Sequence, residues 1–295
     1  MKALIFGAGG QDGFYLAEAC RRRGMEVAGV SCISEKSGWI LLGDVANTEF
    51  VAGLIRESRP ELVFHLAAIS TTGHAALYEN HAAIGTGTIN ILEAVRKWSP
   101  ASKVFITGSG LQFVNTGRPI TETDTFDYTS SYVAVRNYSV YLARYFRSVG
   151  VRSYVGYLFH HDSPLRTEEH VSQKIVQAAK RIAEGSEEIL ELGDISVRKE
   201  WTFAADVTEA ILTLVGQDKV FEATIGSRQV YSIEDWLNEV FGLIKKDWRR
   251  YVRQSRNFKA EYPVLISNPA TINSLGWHAT TSISELAKLM LNYEG

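Results

Sequence analysis

The 295-residue chain has two cysteines, Cys20 and Cys32, and they form no CxxC pair. Neither a disulfide framework nor a cysteine-based zinc site is indicated, and a reducing cytoplasm is the expected setting. Its seven histidines contain no HxxxH or HExxH spacing. The adjacent His160 and His161 would point apart in a strand, so no metal site is expected. Long apolar runs are missing as well. The opening MKALIFGAGG carries a short apolar stretch that stops at glycine, too short for a signal peptide or a membrane span. Charge of one sign is also lacking: 31 basic and 33 acidic residues give a net charge of −2. Without a basic stripe, nucleic acid and anionic membranes are poor partners, and a small-molecule ligand is the better expectation.

Apolar residues make up 45% of the chain, enough for a large core. Short apolar runs at Ala3–Phe6, Val27–Val30, Trp39–Leu42, Leu62–Leu66, Val104–Thr107 and Val151–Phe159 predict strands. Between them, Gly13–Arg23, Glu49–Arg59, Ala82–Trp98 and Ser131–Val149 have helical period. This alternation predicts an α/β fold of Rossmann type, a doubly wound parallel sheet with ligands at the carboxyl ends of its strands. Past Asp162 the rhythm breaks, leaving helices over Val171–Gly185 and Asp235–Lys246 without regular strand partners. The expected division is a dinucleotide-binding domain over 1–160, with a return segment near 195–226. A smaller, mostly helical substrate lobe would hold 161–194 and 227–295.

The first strand runs into Gly7-Ala8-Gly9-Gly10-Gln11-Asp12-Gly13 and then directly into a helix. GxxGxxG spacing in that position permits a tight turn, close approach to a pyrophosphate, and a helix N-terminus aimed at the anion. After the second strand an acid on the ribose 2′-hydroxyl would argue for NAD, but the chain has Ser31-Cys32-Ile33-Ser34, with Lys36 nearby. Small hydroxyls and a lysine suit a 2′-phosphate, so NADP is preferred slightly and NAD stays admissible. Tyr132 and Arg136 stand four apart and share one helix face, where the cation would stabilise a phenolate for acid/base work. Ser109, just past the fifth strand, would meet the same crevice. Other groups have plainer explanations. His65 reads as a satisfied core histidine, Arg21-Arg22-Arg23 as a solvated helix end, and the Tyr138, Tyr141 and Tyr145 stripe as packing.

The segments GAGGQDGFYLAE (7–18), GDV (43–45), HLAAIS (65–70), SYVAVR (131–136), LFHHDSPLR (158–166), VSQKI (171–175), WTFAADV (201–207) and LGW (275–277) together resemble the extended short-chain dehydrogenase/reductases. Within these, the GDP-mannose 4,6-dehydratases are most similar, and the likeness covers nearly the whole chain. The resemblance implies that Gly7, Gly10, Gln11, Asp12 and Gly13 hold the pyrophosphate, and that Asp44 and Val45 flank adenine. Leu66, Ala67, Ala68 and Ser70 would line the dinucleotide, and His161 and Arg166 would contact it, Arg166 favouring NADP. On the nucleotide-sugar side it implies His160, Val171, Lys174, Lys199 and Glu261, and it implies a homodimer with the tyrosine stripe at its interface.

Three departures from the family pattern bear on activity. Arg136 stands where the family has a catalytic lysine, which keeps the charge but changes its shape. Gly110 and Leu111 stand where a dehydratase needs the acid/base pair for eliminating across C5 and C6. Lys199 replaces an arginine, and the arginine cluster after the second strand is missing. The expected function is NAD(P)-dependent hydride transfer at C4 of a GDP-linked hexose or deoxyhexose, of 4-keto reductase or epimerase type. Tyr132 would exchange the proton, Arg136 would support it, and Ser109 would polarise the reacting oxygen. The alternatives are a GDP-mannose 4,6-dehydratase and, from another class, a catalytically weak sensor of NADP(H) or a nucleotide sugar.

Overall fold

The computed structural model describes residues 1–33, 38–69, 71–255 and 262–293. The first half alternates strand and helix: β1 Lys2–Phe6, α1 Gln11–Arg22, β2 Glu26–Ser31, β3 Ile40–Leu42, α2 Thr48–Ser58, β4 Leu62–His65, α3 Leu77–Asn80, α4 Gly87–Trp98, β5 Lys103–Ser109, α5 Ser131–Ser148 and β6 Arg152–Leu158. The second half runs β7 His161–Asp162, α6 Val171–Ala183, β8 Leu190–Leu192, β9 Arg198–Glu200, β10 Thr202–Phe203, α7 Ala204–Val215, β11 Glu222–Ile225 and β12 Val230–Ser232. It closes with α8 Ile233–Leu243, β13 Val252–Gln254, β14 Val264–Leu265, α9 Ala270–Ser274 and α10 Ile283–Leu291. Among the described residues, no helix is long and apolar enough to cross a membrane.

The main sheet has seven strands in the order β11-β6-β5-β4-β1-β2-β3, and every pairing is parallel. The order reverses between β1 and β4, which opens a crevice at their carboxyl ends. Alternate residues of β1 feed opposite faces. Ala3 and Ile5 pack with α1 and α7, whereas Leu4 and Phe6 pack with α2, α4 and α5. Burial on both faces explains why these strands read as unbroken apolar runs.

Most strand and helix expectations match within a residue or two, and the differences have local causes. The run expected over Ala82–Trp98 starts at Leu77 and passes through a π-helical stretch, His81–Thr86. There α5 comes close: a Cβ on Gly85 would stand 3.1 Å from Val135. The second half, expected to be without regular strand partners, contains β9 paired with both β12 and β14, and β8 paired with β13. These strands are three residues or fewer, too short for an alternating pattern to show. Around them a third apolar cluster forms from α6, α8 and α10, with Trp201 stacked on Trp236 at 4.7 Å.

The seventh strand, β11, comes late in the chain and is clamped electrostatically. Glu222 accepts from Arg144 Nε at 2.9 Å and Nη2 at 2.7 Å, from Arg147 Nη1 at 3.1 Å and from the Tyr157 hydroxyl at 2.8 Å. Burial raises the Glu222 pKa, but the Arg144 and Tyr157 hydrogen bonds and the arginine charges outweigh it and hold the carboxyl below its usual value. We expect Glu222→Ala to cost about 2 kcal/mol at pH 7, less than a fully buried pair because Arg144 is 40% exposed. A carboxylate with a depressed folded pKa contributes above its unfolded value of 4.5 and loses that contribution as pH falls through the folded one. Urea unfolding at pH 7 and pH 3 should therefore show the gap to wild type narrowing in acid.

Candidate functional site

The turn after β1 is shaped by its glycines. Gly7 has φ +92°, and a Cβ there would stand 2.6 Å from the Ala67 nitrogen and 2.8 Å from the Leu66 carbonyl carbon. The ends of β1 and β4 therefore touch at the switch point, and only glycine fits both the conformation and the contact. At Gly13 a Cβ would lie 2.4 Å from the Gly7 oxygen, which presses the first turn of α1 onto the loop. Gly9 and Gly10 are exposed, and Gly10 caps α1 without a side-chain hydrogen bond. An exposed, uncapped helix N-terminus with a glycine approach is the donor set that a pyrophosphate requires, so these residues fit a dinucleotide.

The same turn is tied into the interior. Asp12 Oδ1 lies 2.9 Å from His161 Nε2 and accepts from Gln11 Nε2 at 3.1 Å, and Gln11 Oε1 accepts from the Ser163 hydroxyl at 2.7 Å. His161 Nδ1 faces the Phe159 carbonyl at 2.7 Å, so both ring nitrogens meet acceptors. Burial lowers the His161 pKa, but the Asp12 charge and hydrogen bond reverse this and leave it raised. For Asp12, burial acts upward, yet His161 and then Arg166 hold it well below the carboxylate range. Of the residues expected on the cofactor, His161 thus reaches the turn through Asp12. Arg166 donates to Asp162 Oδ1 at 3.3 Å and to the His161 carbonyl at 3.2 Å.

Elsewhere along the crevice, Asp44 caps an exposed turn by accepting from the Ala46 nitrogen at 2.8 Å, and Val45 is buried against Gly87. Leu66, Ala67 and Ala68 are half-buried on the loop after β4. That loop is fixed by the fully buried Asn80, which accepts from the Ile69 nitrogen and donates to the Thr71 carbonyl. No sequence signal marked Asn80. At the end of β2, Ser31 is buried beside the turn, 2.8 Å from where a Gly9 Cβ would stand. Ser34, Lys36, Ser70 and Glu261 lie outside the described residues. His65 is buried as expected, but only Nε2 has a contact, 3.4 Å to the Ile84 carbonyl, and Nδ1 has no partner among the described residues. Burial, aided by the Arg136 charge, pushes its pKa down to about 4.

Helix α5 begins at Ser130, whose hydroxyl accepts from the Val133 nitrogen at 3.2 Å. One turn in, Arg136 is buried and its Nε donates to the Tyr132 hydroxyl at 3.1 Å. Its Nη1 donates to the Thr107 carbonyl at 2.5 Å, which anchors the guanidinium on β5 two residues before Ser109. Ser109 Oγ accepts from the Leu111 nitrogen, leaving its own proton free to donate. A capping box between Ser109 and Gln112 fixes this turn, and Gln112 Nε2 donates to Asn137 Oδ1, a second tie to α5.

A buried polar cluster lies beyond β6. His160 Nδ1 meets the Glu200 carbonyl at 2.7 Å and Nε2 meets Asp162 Oδ2 at 3.1 Å, while Ser172 donates to Asp162 Oδ1 at 2.7 Å. Burial pushes Lys199 down to about 8 against the opposing Asp162 charge, and its amine sits 4.9 Å from the Trp201 ring centre. Burial and then Lys199 drive the His160 pKa well down, while Asp162 is held low by His160, Arg166 and Lys199 in spite of its burial. Val171 opens α6 beside this cluster, next to Ser172. Lys174 turns to the surface instead, donating to the Glu191 carbonyl at 2.9 Å. Asp162 went unremarked in the sequence, although it stands inside the LFHHDSPLR stretch.

A profile of the family described as GDP-mannose 4,6 dehydratase matches residues 4–290. The chain belongs to that family. GDP-mannose 4,6 dehydratase 1 of Arabidopsis thaliana is 28% identical over 319 aligned positions, which cover 98% of this chain and 88% of the relative. The fold is similar to dTDP-glucose 4,6-dehydratase from Bacillus anthracis in complex with NAD, with a TM-score of 0.86 at 16% identity, covering 100% of this chain and 97% of that one. It is also similar to RMD from Pseudomonas aeruginosa complexed with NADPH, with a TM-score of 0.84 at 19% identity over 98% and 97% of the two chains.

The Asp12–His161 pair generates a pH test. A histidine with a raised folded pKa stabilises fully below its unfolded value of 6.5 and ceases to do so as pH rises through the folded one. Asp12 sets the lower limit, since its contribution begins to fall away below the unfolded value of 3.8. His161→Gln is expected to cost about 3 kcal/mol at pH 6, the lower end for a buried pair because Asp12 is 24% exposed. Chemical denaturation should show variant and wild type converging by pH 9; an undiminished gap there contradicts the ion pair.

Proposed function

We propose that the protein is an NADP(H)-dependent enzyme, NAD(H) being the other candidate, that transfers hydride at C4 of a GDP-linked sugar as a 4-keto reductase or epimerase. The observation that carries this reading is the Arg136 guanidinium, held on the Thr107 carbonyl and donating to the Tyr132 hydroxyl. When bound, the nicotinamide would supply or accept the hydride. In the reducing direction Tyr132 gives its proton to the C4 oxygen, and Arg136 places a permanent positive charge on the phenolate left behind. The free proton of Ser109 hydrogen-bonds the same sugar oxygen and polarises it. The turn from Gly7 to Gly13 would hold the pyrophosphate.

Lys199 and Arg166, two cations against the single carboxylate of Asp162, suit the diphosphate of a nucleotide sugar, with His160 and Val171 beside it. The third apolar cluster supports a substrate lobe over 161–194 and 227–295, but it also takes in Ile195 and Trp201, so within the expected 195–226 the return to the main sheet is made by α7 and β11. A homodimer would bury Tyr138, Tyr141 and Tyr145, which are exposed on α5. The family and its Arabidopsis member favour GDP as the nucleotide and keep a 4,6-dehydratase as the second reading. Against that reading, elimination across C5 and C6 needs a proton-transferring group after Ser109, and Gly110 and Leu111 provide none.

The test is oxidation of NADPH by the purified protein given GDP-4-keto-6-deoxymannose. Tyr132→Phe is expected to lower kcat by about 10²-fold or more with little change in substrate binding. Equal rates for variant and wild type overturn the role of Tyr132. Binding of both ligands without any oxidation overturns the reductase reading and favours a sensor.

A further inference from the structure

A cavity of about 420 Å³ opens between the turn that follows Ser109 and the start of α5. Its wall includes Gly110 and Leu111, which directly follow Ser109, and Ser130 and Val133, which bracket Tyr132. We propose that this cavity receives the C6 methyl group of a 6-deoxy sugar, and that Leu111 sets that preference; the inference rests on the C4 chemistry proposed above. In a hexopyranose, C6 branches from C5, the neighbour of C4, so a sugar presented at C4 to Tyr132 and Ser109 carries C6 to an adjacent wall. About half of that wall is apolar, from Leu111, Phe113, Val114, Val133, Pro263 and Leu265, and the rest is polar apart from Gly110.

The six polar lining residues are Thr72, Asn115, Asp127, Thr129, Ser130 and Tyr262, and each already has an interaction within the protein. Asn115 donates to the Val264 carbonyl at 2.7 Å and accepts from the Gly117 nitrogen at 2.9 Å. Asp127 accepts from the Tyr128 nitrogen at 2.7 Å and the Thr129 hydroxyl at 3.2 Å. Leu111 is also held in place. Its nitrogen bonds Ser109 Oγ, and the preceding Gly110 is pressed on Phe159, whose ring would lie 2.9 Å from a Cβ there. A C6 hydroxyl set against the apolar side of this wall, around Leu111, would surrender hydrogen bonds to water without replacement, whereas a methyl group gains apolar contact. Apolar pockets discriminate a methyl from a hydroxyl only moderately, so the expected preference is about 10- to 100-fold.

The experiment compares binding of GDP-6-deoxymannose and GDP-mannose to the NADP-loaded protein by calorimetry, for wild type and Leu111→Gln. Wild type is expected to bind the 6-deoxy sugar about 10- to 100-fold more tightly, and Leu111→Gln to bring the two within a few-fold of each other. Equal binding of the two sugars by wild type overturns the methyl pocket and leaves the proposed C4 chemistry standing. Preference retained undiminished in a folded Leu111→Gln overturns the assignment to Leu111. Failure of both sugars to bind overturns this inference together with the function it rests on.

Discussion

One ion pair joins the two halves of the crevice. Asp12, in the first turn of α1, meets His161, just past β6, at 2.9 Å. An acid in the first turn suits the helix dipole but would repel a phosphate arriving at the same place. The imidazolium resolves that conflict by neutralising Asp12 from behind, and because its other nitrogen is held by the Phe159 carbonyl it stays in position. Through the next residue the arrangement continues into the Asp162, Arg166 and Lys199 cluster. The glycine turn after β1 and the Arg166 and Lys199 cations are thus built on one continuous electrostatic framework.

The Tyr132–Arg136 pair is also tied to a second element. A lysine at position 136 would present one point charge on a flexible stem, whereas Arg136 has a planar fork. One arm is fixed to β5 at Thr107 and another is directed at Tyr132, so helix and sheet are locked together by the group that also holds the Tyr132 hydroxyl. The turn after Ser109 is secured independently through Gln112 and Asn137. Leu111 is thereby held on the wall of the adjoining cavity, with no proton to transfer.

Much of this is legible in the amino-acid sequence. The doubly wound sheet follows from apolar runs buried on both faces, the glycine turn from its place between strand and helix, and the Tyr132–Arg136 contact from a spacing of four. What escaped the sequence depends on distant partners. Asn80 looks like any helical asparagine until it closes the loop after β4, and Asp162 carries no sign that His160, Arg166 and Ser172 converge on it. The short strands β8, β9 and β12 to β14 exist through their pairings rather than through any pattern of their own.

The central claim is hydride transfer at the sugar's C4 carbon, and the direct measurement is the fate of a label. NADPH carrying deuterium at both positions of the nicotinamide C4 is incubated with the protein and GDP-4-keto-6-deoxymannose, and the product is read by NMR. Deuterium at the sugar C4 is expected. A product without deuterium at that carbon, or with the label at C5 or C6, overturns hydride transfer to C4.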